Sequence, residues 1–191
     1  MIGIVLAAGE GRRIGGPKAL LRLEGETFLE RSCRLLSRPD VAAVVAVIGA
    51  QARKVLDQGG LPTDVTVVEN ESWREGMLTS VWKGLEAATR LRADAVLLHP
   101  VDHPLVAAET VDRVVAALWT GAFAVAPTWE GRRGHPGGFG GSAFPALLSA
   151  PRDQGARAVL AAHPDGVVHV MGDPGCRLGI NTPEDYRLVL R

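Results

Sequence analysis

The chain has 191 residues, of which 47% are hydrophobic and 22% charged, a balance typical of a globular protein with a sizeable core. Its 21 basic and 21 acidic residues cancel, so no overall field favours nucleic acid or a membrane surface as a partner. No apolar run reaches transmembrane length, MIGIVL lacks the features of a secretory signal, and two cysteines, Cys33 and Cys176, are too few for a disulfide framework. We therefore expect a cytoplasmic protein in which residues 1–191 form one domain.

Apolar, β-branched runs alternate along the chain with segments of helical spacing. Strands are predicted at 2–8, 41–49, 65–70, 94–100 and 122–127, and helices at 27–38, 52–59, 77–91 and 108–119. A last helix is predicted to begin at the Thr182-Pro183 cap. Continuous apolar strands are covered on both faces, so the pattern predicts an α/β fold: a three-layer, Rossmann-like, mostly parallel sheet between helices.

Ligands of such sheets bind beyond the carboxyl ends of the strands. This rule brings the loop at 8–18, the turn at 68–70 and the segment HPVDHP at 99–104 to one rim. The stretch TWEGRRGHPGGFGG, residues 128–141, breaks the alternation of strands and helices. We expect it to form a loop or short hairpin over that rim.

The loop that follows the first strand combines four glycines, at positions 9, 11, 15 and 16, with the cations Arg12, Arg13 and Lys18. Glycine lets a backbone approach a ligand closely, and cations bind anions, so phosphate is the expected ligand. The dinucleotide fingerprint fails because Ile14 stands where its third glycine belongs. The Walker loop fails because a proline precedes Lys18 and Ala19 replaces the hydroxyl residue.

Six motifs occur in order over nearly the whole chain. They are L-A-A-G-x-G-R-R-x-G-x-x-K in the first loop, W-x-x-G-M-x-x-S-V-x-x-G-L at 73–85, H-P-V-D-H-P at 99–104, G-R-R-G-H-P-x-x-F at 131–139, D-x-G-A-R-x-V-L at 153–160 and I-N-T-P-E-D-Y at 180–186. Together they resemble the MobA-like NTP transferases, in particular the molybdenum cofactor cytidylyltransferase branch. The resemblance implies a nucleotidyltransferase fold and transfer of a nucleoside monophosphate from an NTP to a phosphorylated acceptor, molybdopterin in that branch, with release of pyrophosphate.

The resemblance also implies roles for the rim residues. Lys18 and Arg13 would neutralise the triphosphate during catalysis, although a solvated basic loop is the alternative. Loop amides and a helix start would bind the rest of the nucleotide. The expected nucleotide-binding set is Leu6, Ala7, Ala8, Gly9, Gly11, Arg12, Arg13, Lys18, Asn70, Gly76 and Ser80. Met77, beside this set, is expected to be a core side chain.

Asp102 follows an apolar strand and is the expected catalytic Mg²⁺ ligand, since magnesium prefers one or two carboxylates together with phosphate oxygens. A turn aspartate is the alternative. Asn181 is expected as a second metal ligand or, equally, as an ordinary helix-start residue. His135 and Arg157 are candidates for binding the acceptor. The alternatives are that His135 belongs to a pair that only shapes a loop, and that Arg157 is a surface charge on a helix. His99 and His103 flank Asp102 without enough further ligands for a zinc site.

The nucleotide base is left open between cytosine and guanine. In the family, LAAG in place of LAGG is associated with CTP, which makes Ala8 an indicator of cytidine. Asn181 instead resembles the guanylyl and sugar-phosphate relatives, where the cytidylyl branch carries aspartate. Two other classes also stay open: a nucleotide-binding module without catalysis, and a metal-dependent glycosyltransferase, although the latter usually shows two carboxylates in a D-x-D motif.

Overall fold

The structure is a computed structural model that describes residues 1–152 and 154–190. Asp153, which opens the fifth motif, lies outside the described residues. The strands are β1 (Ile2–Ala7), β2 (Arg22–Leu23), β3 (Glu26–Thr27), β4 (Ala43–Ile48), β5 (Val65–Glu69), β6 (Ala95–Pro100), β7 (Ala124–Trp129), β8 (Arg132–Arg133), β9 (Gly137–Gly140) and β10 (Val167–Met171). The helices are α1 (Phe28–Leu36), α2 (Ala52–Gln58), α3 (Met77–Arg90), α4 (Ala108–Trp119), α5 (Phe144–Ser149), α6 (Ala156–Ala162) and α7 (Pro183–Val189).

The central sheet has the strand order β10-β7-β9-β6-β1-β4-β5, and β8 pairs with β7. The pairs β1–β4, β1–β6, β4–β5 and β7–β10 are parallel, and β9 runs antiparallel to its neighbours β6 and β7. The predicted α/β class with a mostly parallel sheet is confirmed. None of the described helices is long and apolar enough to cross a membrane.

Both faces of the sheet are covered, as the apolar strands predicted. Along β1 the side chains alternate, so that Ile4 and Leu6 pack in one cluster while Val5 and Ala7 pack in the other. Residues of α1, α2 and α4 belong to the cluster of Val5, and residues of α3, α5 and α6 belong to the cluster of Ile4. This three-layer arrangement leaves the carboxyl ends of β1, β4 and β6 free to carry a site.

The stretch 128–141 differs in part from the expected loop or short hairpin over the rim. Its first part is a hairpin, in which β8 folds back on β7, but its second part is the strand β9 inside the central sheet. Glycine makes this strand fit: a Cβ added at Gly138 would lie 2.8 Å from Val114 Cγ1 and 2.9 Å from Leu118 Cδ1 on α4. A helix packs directly against this backbone, and a glycine-rich strand has no side-chain alternation from which it can be predicted.

Candidate active site

Three parallel strands end side by side at the rim, and backbone hydrogen bonds tie their extensions together. The amide of Ala50 donates to the Ala8 carbonyl at 2.9 Å, and the amide of Val101 donates to the Leu6 carbonyl at 3.1 Å. The residues that follow β1 and β6 therefore lie next to each other. This contact brings the first loop to Asp102, which stands two residues after the end of β6.

The first loop is closed by a glycine with a left-handed backbone. Gly11 has φ 67°, and its carbonyl accepts hydrogen bonds from the amides of Ile14 (3.0 Å) and Gly16 (3.2 Å). A Cβ at Gly11 would approach the Gly16 carbonyl oxygen to 1.8 Å, so a side chain does not fit there. The loop then returns through Pro17 to Lys18, whose ammonium reaches back over the end of the sheet.

Lys18 lies at the centre of the predicted polar set. Its Nζ is 2.7 Å from Asp102 Oδ2 and 2.7 Å from Asn181 Oδ1, and Arg13 Nη2 donates to the same Asn181 oxygen at 3.2 Å. The side chains of Lys18 and Asp102 are 18% and 19% exposed, so their ion pair is largely shielded from water. Four residues predicted from three separate motifs therefore form one cluster.

The start of α7 fixes the orientation of Asn181. Its Nδ2 donates to the Gly179 carbonyl at 3.1 Å, which leaves Oδ1 facing Lys18. Asp185 accepts from the amides of Asn181 and Thr182, each at 2.9 Å, within a capping box. These backbone hydrogen bonds lower the pKa of the Asp185 carboxyl. Asn181 thus adjoins the cap of α7, as a helix-start residue would, and its oxygen also faces Lys18, as expected for a residue of the polar cluster.

An open cleft lies between the first loop and the start of α3. The expected nucleotide-binding residues that line it are Leu6, Ala8, Gly9, Gly11, Lys18 and Ser80, and Asp102 lines it as well. Trp73, Met77, Pro100 and Val101 complete the lining. Met77 is 62% exposed, so the expectation of a core side chain is wrong. As the first residue of its helix, directly after Gly76 with φ 115°, it precedes the buried face of α3.

Other expected nucleotide-binding residues lie outside the cleft lining. Ala7 packs in the core on the opposite face of the sheet. Asn70 is fully buried: its Nδ2 donates to Thr79 Oγ1 (2.8 Å) and Ser80 Oγ (2.9 Å), and its Oδ1 accepts from the Ser72 amide (3.0 Å). The polar atoms of Asn70 are therefore engaged within the protein. They hold the turn after β5 against the start of α3.

Arg12 and Gly76 are also expected nucleotide-binding residues outside the cleft lining. Arg12 is exposed and forms an ion pair with Glu10 in the first loop, so it points away from the cluster around Lys18. Gly76 is the residue before α3, and its carbonyl accepts a hydrogen bond from the Thr79 amide at 3.2 Å. Of the two arginines in the loop, Arg13 is thus the one that contacts the predicted metal ligands.

Three histidines pack behind Asp102. The rings of His103 and His135 are 4.7 Å apart between centroids, and His103 Nε2 lies 3.9 Å from Asp102 Oδ1. Both ring nitrogens of the fully buried His99 lack a hydrogen-bond partner, as do Nδ1 of His103 and His135. Burial lowers the pKa of all three, that of His135 to about 3, and the neighbouring imidazoles lower the pKa of His99 and His135 further. The cluster is therefore neutral at neutral pH.

The low pKa of His135 predicts a steeper loss of stability in acid. Between pH 6.5 and about 3 the unfolded chain protonates this histidine while the folded protein does not, so the free energy of unfolding falls as pH falls. Replacing His135 with Asn is expected to flatten this limb by up to about 1.4 kcal/mol per pH unit. Urea unfolding from pH 7 to 4.5 measures the slope. His169→Asn, on the exposed face of β10, serves as the control, and equal slopes in the wild type and His135→Asn would contradict the prediction.

The expected acceptor residues, His135 and Arg157, are not among the residues that line the cleft. His135 precedes β9, and its amide donates to the Cys176 carbonyl at 2.7 Å. Arg157 is exposed on α6, close enough to His135 for its charge to contribute to the lowered pKa of that histidine. His135 thus helps to shape the loop before β9, and Arg157 is a surface cation near it.

The chemistry of the donor set fits a divalent cation of the magnesium type. Asp102 and Asn181 present two hard oxygens to one point, where the ammonium of Lys18 lies. Within residues 1–152 and 154–190, no group of three or more His, Cys, Asp and Glu side chains is arranged to hold a metal. A metal held by Asp102 and Asn181 would complete its coordination with water or with oxygens of a bound ligand.

A glycine-rich loop, a largely shielded lysine and two oxygen donors meet at the carboxyl edge of a three-layer sheet, an arrangement typical of phosphate-binding proteins. A family model described as the MobA-like NTP transferase domain matches residues 3–167. The chain belongs to this family, as its six motifs predicted.

Proteins that are similar to the chain in sequence carry names of different activities. The chain is 38% identical to a bifunctional enzyme IspD/IspF of Rhodospirillum rubrum, over 84% of this chain and 44% of that protein. It is 34% identical to the nicotine blue oxidoreductase of Paenarthrobacter nicotinovorans, over 85% of this chain and 82% of that protein. It is 32% identical to a probable molybdenum cofactor guanylyltransferase of Bacillus cytotoxicus, over 69% of this chain and 63% of that protein. The chain thus spans less than half the length of the bifunctional relative.

Solved structures share the fold over almost the full chain. Rv0371c of Mycobacterium tuberculosis H37Rv aligns with a TM-score of 0.85 at 28% identity, over 100% of this chain and 97% of that one, and the same protein is known in complex with manganese. The 2-C-methyl-D-erythritol 4-phosphate cytidylyltransferase of Thermus thermophilus aligns with a TM-score of 0.67 at 25% identity, over 98% and 95% of the two chains.

Proposed function

We propose that the protein transfers a nucleoside monophosphate from an NTP, CTP in preference to GTP, to a phosphorylated small molecule, with release of pyrophosphate. The observation that carries this proposal is the position of Lys18, with Nζ 2.7 Å from both Asp102 and Asn181 at the mouth of a glycine-rich loop. Cations and metal-binding oxygens at one point suit a triphosphate and its magnesium ion. An acceptor of the molybdopterin type, a phosphate monoester, is part of the proposal.

The transfer itself needs no dedicated base. A phosphate monoester has a second pKa of about 6, so at neutral pH its oxygen is already mostly ionised. That oxygen attacks the α-phosphorus of the NTP, and the bond from this phosphorus to the bridging oxygen breaks. Pyrophosphate then leaves with the electron pair. The protein has to bring two anions together and align them, which is a task for positive charge and position.

The residues divide this task between them. Lys18 and Arg13 bind the triphosphate and stabilise the charge that develops on the departing pyrophosphate. The amides of the loop around Gly11 donate to phosphate oxygens. Asp102 and Asn181 would hold the magnesium ion, which when bound withdraws charge from the phosphates. His135 and Arg157 are proposed to bind the acceptor phosphate, which is supported by the proximity of the Arg157 cation to His135.

Ala8 lines the cleft, and the packing around it supports the preference for cytidine. Ala8 is 5% exposed, and a Cβ built on Gly49 would lie 2.8 Å from Ala8 Cβ and 2.9 Å from Trp73 Cβ. These three residues pack tightly, so the Ala8 methyl cannot move away from a base that enters here. A pyrimidine needs less room than a purine at this point. This packing supports CTP, in agreement with the LAAG form of the loop.

A pyrophosphate-release assay tests the function and the base preference together. CTP, GTP, ATP and UTP are supplied with magnesium and either molybdopterin or 2-C-methyl-D-erythritol 4-phosphate. We expect CTP to exceed GTP by about tenfold or more in kcat/KM, a difference of about 1.4 kcal/mol. Replacing Ala8 with Gly removes the methyl and is expected to raise the use of GTP relative to CTP.

Each alternative class has its own outcome in this assay. A preference for GTP in the wild type would contradict the cytidine assignment and make Asn181 the better guide to the branch. Nucleotide binding without pyrophosphate release, with every acceptor offered, would contradict transfer and favour a binding module. Because one relative is named an oxidoreductase, pyrophosphate itself is the readout: nucleotidyl transfer forms it and a redox reaction does not.

A further inference from the structure

We propose that Lys18 occupies the divalent-cation position in the nucleotide-free protein, so that the metal binds strongly only together with a nucleotide. The inference rests on the proposed function in one respect, namely that Asp102 and Asn181 are the metal-binding pair. It adds that the same two oxygens have two alternative cationic partners. Lys18 is the resident partner, and it transfers to a phosphate when the metal arrives with the NTP.

The distances carry the first step. Lys18 Nζ lies 2.7 Å from one carboxylate oxygen of Asp102 and 2.7 Å from the amide oxygen of Asn181. Both oxygens therefore point at one position, and that position holds a positive charge. An ammonium has three donors, of which two are engaged here, so the third is available for a phosphate in the adjoining cleft. A metal ion that used both oxygens would have to displace the ammonium.

In the second place, the Asn181 oxygen is held in position while the Lys18 ammonium can move. Asn181 is held through its Nδ2 by the Gly179 carbonyl and through its amide by Asp185, so its oxygen cannot rotate away. The backbone of Lys18 is also fixed, because Pro17 precedes it and the buried Ala19 follows. Its long side chain, by contrast, can move the ammonium by rotation about its own bonds. Exchange of cations therefore requires no movement of the loop.

The third step is electrostatic. Besides Lys18, Arg13 contacts Asn181 Oδ1 at 3.2 Å, so a divalent ion arriving alone would meet two cations at close range. The phosphates of a nucleotide neutralise these cations and supply further oxygens to the metal. Metal binding and nucleotide binding thus promote each other. By linkage, the factor by which one raises the affinity of the other is the same in both directions.

Binding of Mn²⁺, measured by the electron paramagnetic resonance signal of the free ion, tests this without any turnover. The samples are the wild type, Lys18→Met, Lys18→Gln and the control Lys83→Met, which removes the same charge from the exposed face of α3. Without nucleotide, both Lys18 variants are expected to bind Mn²⁺ at least about tenfold more tightly than the wild type and Lys83→Met. Adding CTP is expected to raise the Mn²⁺ affinity of the wild type by about tenfold or more.

The double variant Lys18→Met, Asp102→Asn is expected to lose the Mn²⁺ affinity that Lys18→Met gains. This loss would locate the ion at Asp102. The proposal is overturned if the wild type binds Mn²⁺ without nucleotide as tightly as the Lys18 variants do, or if the double variant keeps the gained affinity. Circular dichroism melting checks that each variant is folded, and Lys18→Gln keeps the test valid if the apolar methionine disturbs the site. The Mn²⁺ measurement uses no acceptor and no turnover. It can therefore be interpreted even if the protein fails to release pyrophosphate in the assay of the proposed function.

Discussion

Replacing Asp102 with Asn is expected to lower turnover in the pyrophosphate-release assay by about 10³-fold, equivalent to about 4 kcal/mol of transition-state stabilisation. Asp102 stands at the rim two residues after β6, and its largely shielded carboxylate contacts Lys18. Asparagine keeps the shape but removes the charge. Lys18, and the magnesium ion that we propose Asp102 to hold, then lose their anionic partner at a point that water screens poorly.

The matched control for this experiment is Asp112→Asn. Asp112 is half exposed on α4 and pairs with Arg38 on the surface, so its replacement removes the same charge without touching the rim. Turnover of Asp112→Asn is expected to equal that of the wild type. Thermal melting of both variants separates catalysis from folding. A folded Asp102→Asn protein that retains more than about a tenth of the wild-type rate would contradict the assigned role.

Replacing Phe139 with Ala is expected to lower the free energy of unfolding by about 3–5 kcal/mol. Phe139 is 2% exposed, lies in the centre of the sheet on β9 between β6 and β7, and packs in the cluster covered by α3 and α5. Truncation leaves a cavity that the surrounding strands cannot close. Urea denaturation with a constant m-value measures the change.

Trp119→Ala is the control for the loss of an aromatic side chain, since Trp119 is 64% exposed at the end of α4. Its replacement is expected to change the free energy of unfolding by no more than about 0.5 kcal/mol. The comparison also discriminates between two descriptions of the stretch 128–141. If Phe139→Ala cost as little as the control, the segment would behave as the loop or short hairpin that the sequence suggested and not as a central strand.

Elements with strong local signals were predictable. The runs that became β1, β4 and β6 are apolar and buried along their length, and β5 was recognised by its three valines. The helices α3 and α4 follow from 3.6-residue spacing, and α7 from the Thr182-Pro183 cap. Boundaries moved by one or two residues, which is the range over which helix and strand ends are set by tertiary contacts.

Elements with weak local signals were not predictable. The edge strand β10 is half exposed, and α5 and α6 are six and seven residues long, so none of them presents a sustained apolar period. The strand β9 is three-quarters glycine, and α4 packs so closely on it that a Cβ at Gly138 would lie 2.8 Å from Val114 Cγ1. Such elements are determined by what packs against them.

The sequence by itself determined the α/β class, the glycine-rich loop with its cations, and the motifs that identify the family, because each depends on residues close together in the chain. Only the tertiary structure decided which of those residues meet. Asp102 and Asn181 lie 84 and 163 positions from Lys18 in the sequence, and they converge because β1 and β6 are neighbours and the start of α7 closes over their ends. It likewise turned Asn70 inward and left Met77 in the cleft. The direction of a side chain at the end of a strand or the start of a helix depends on how the whole sheet packs. A local sequence pattern carries no information about that packing.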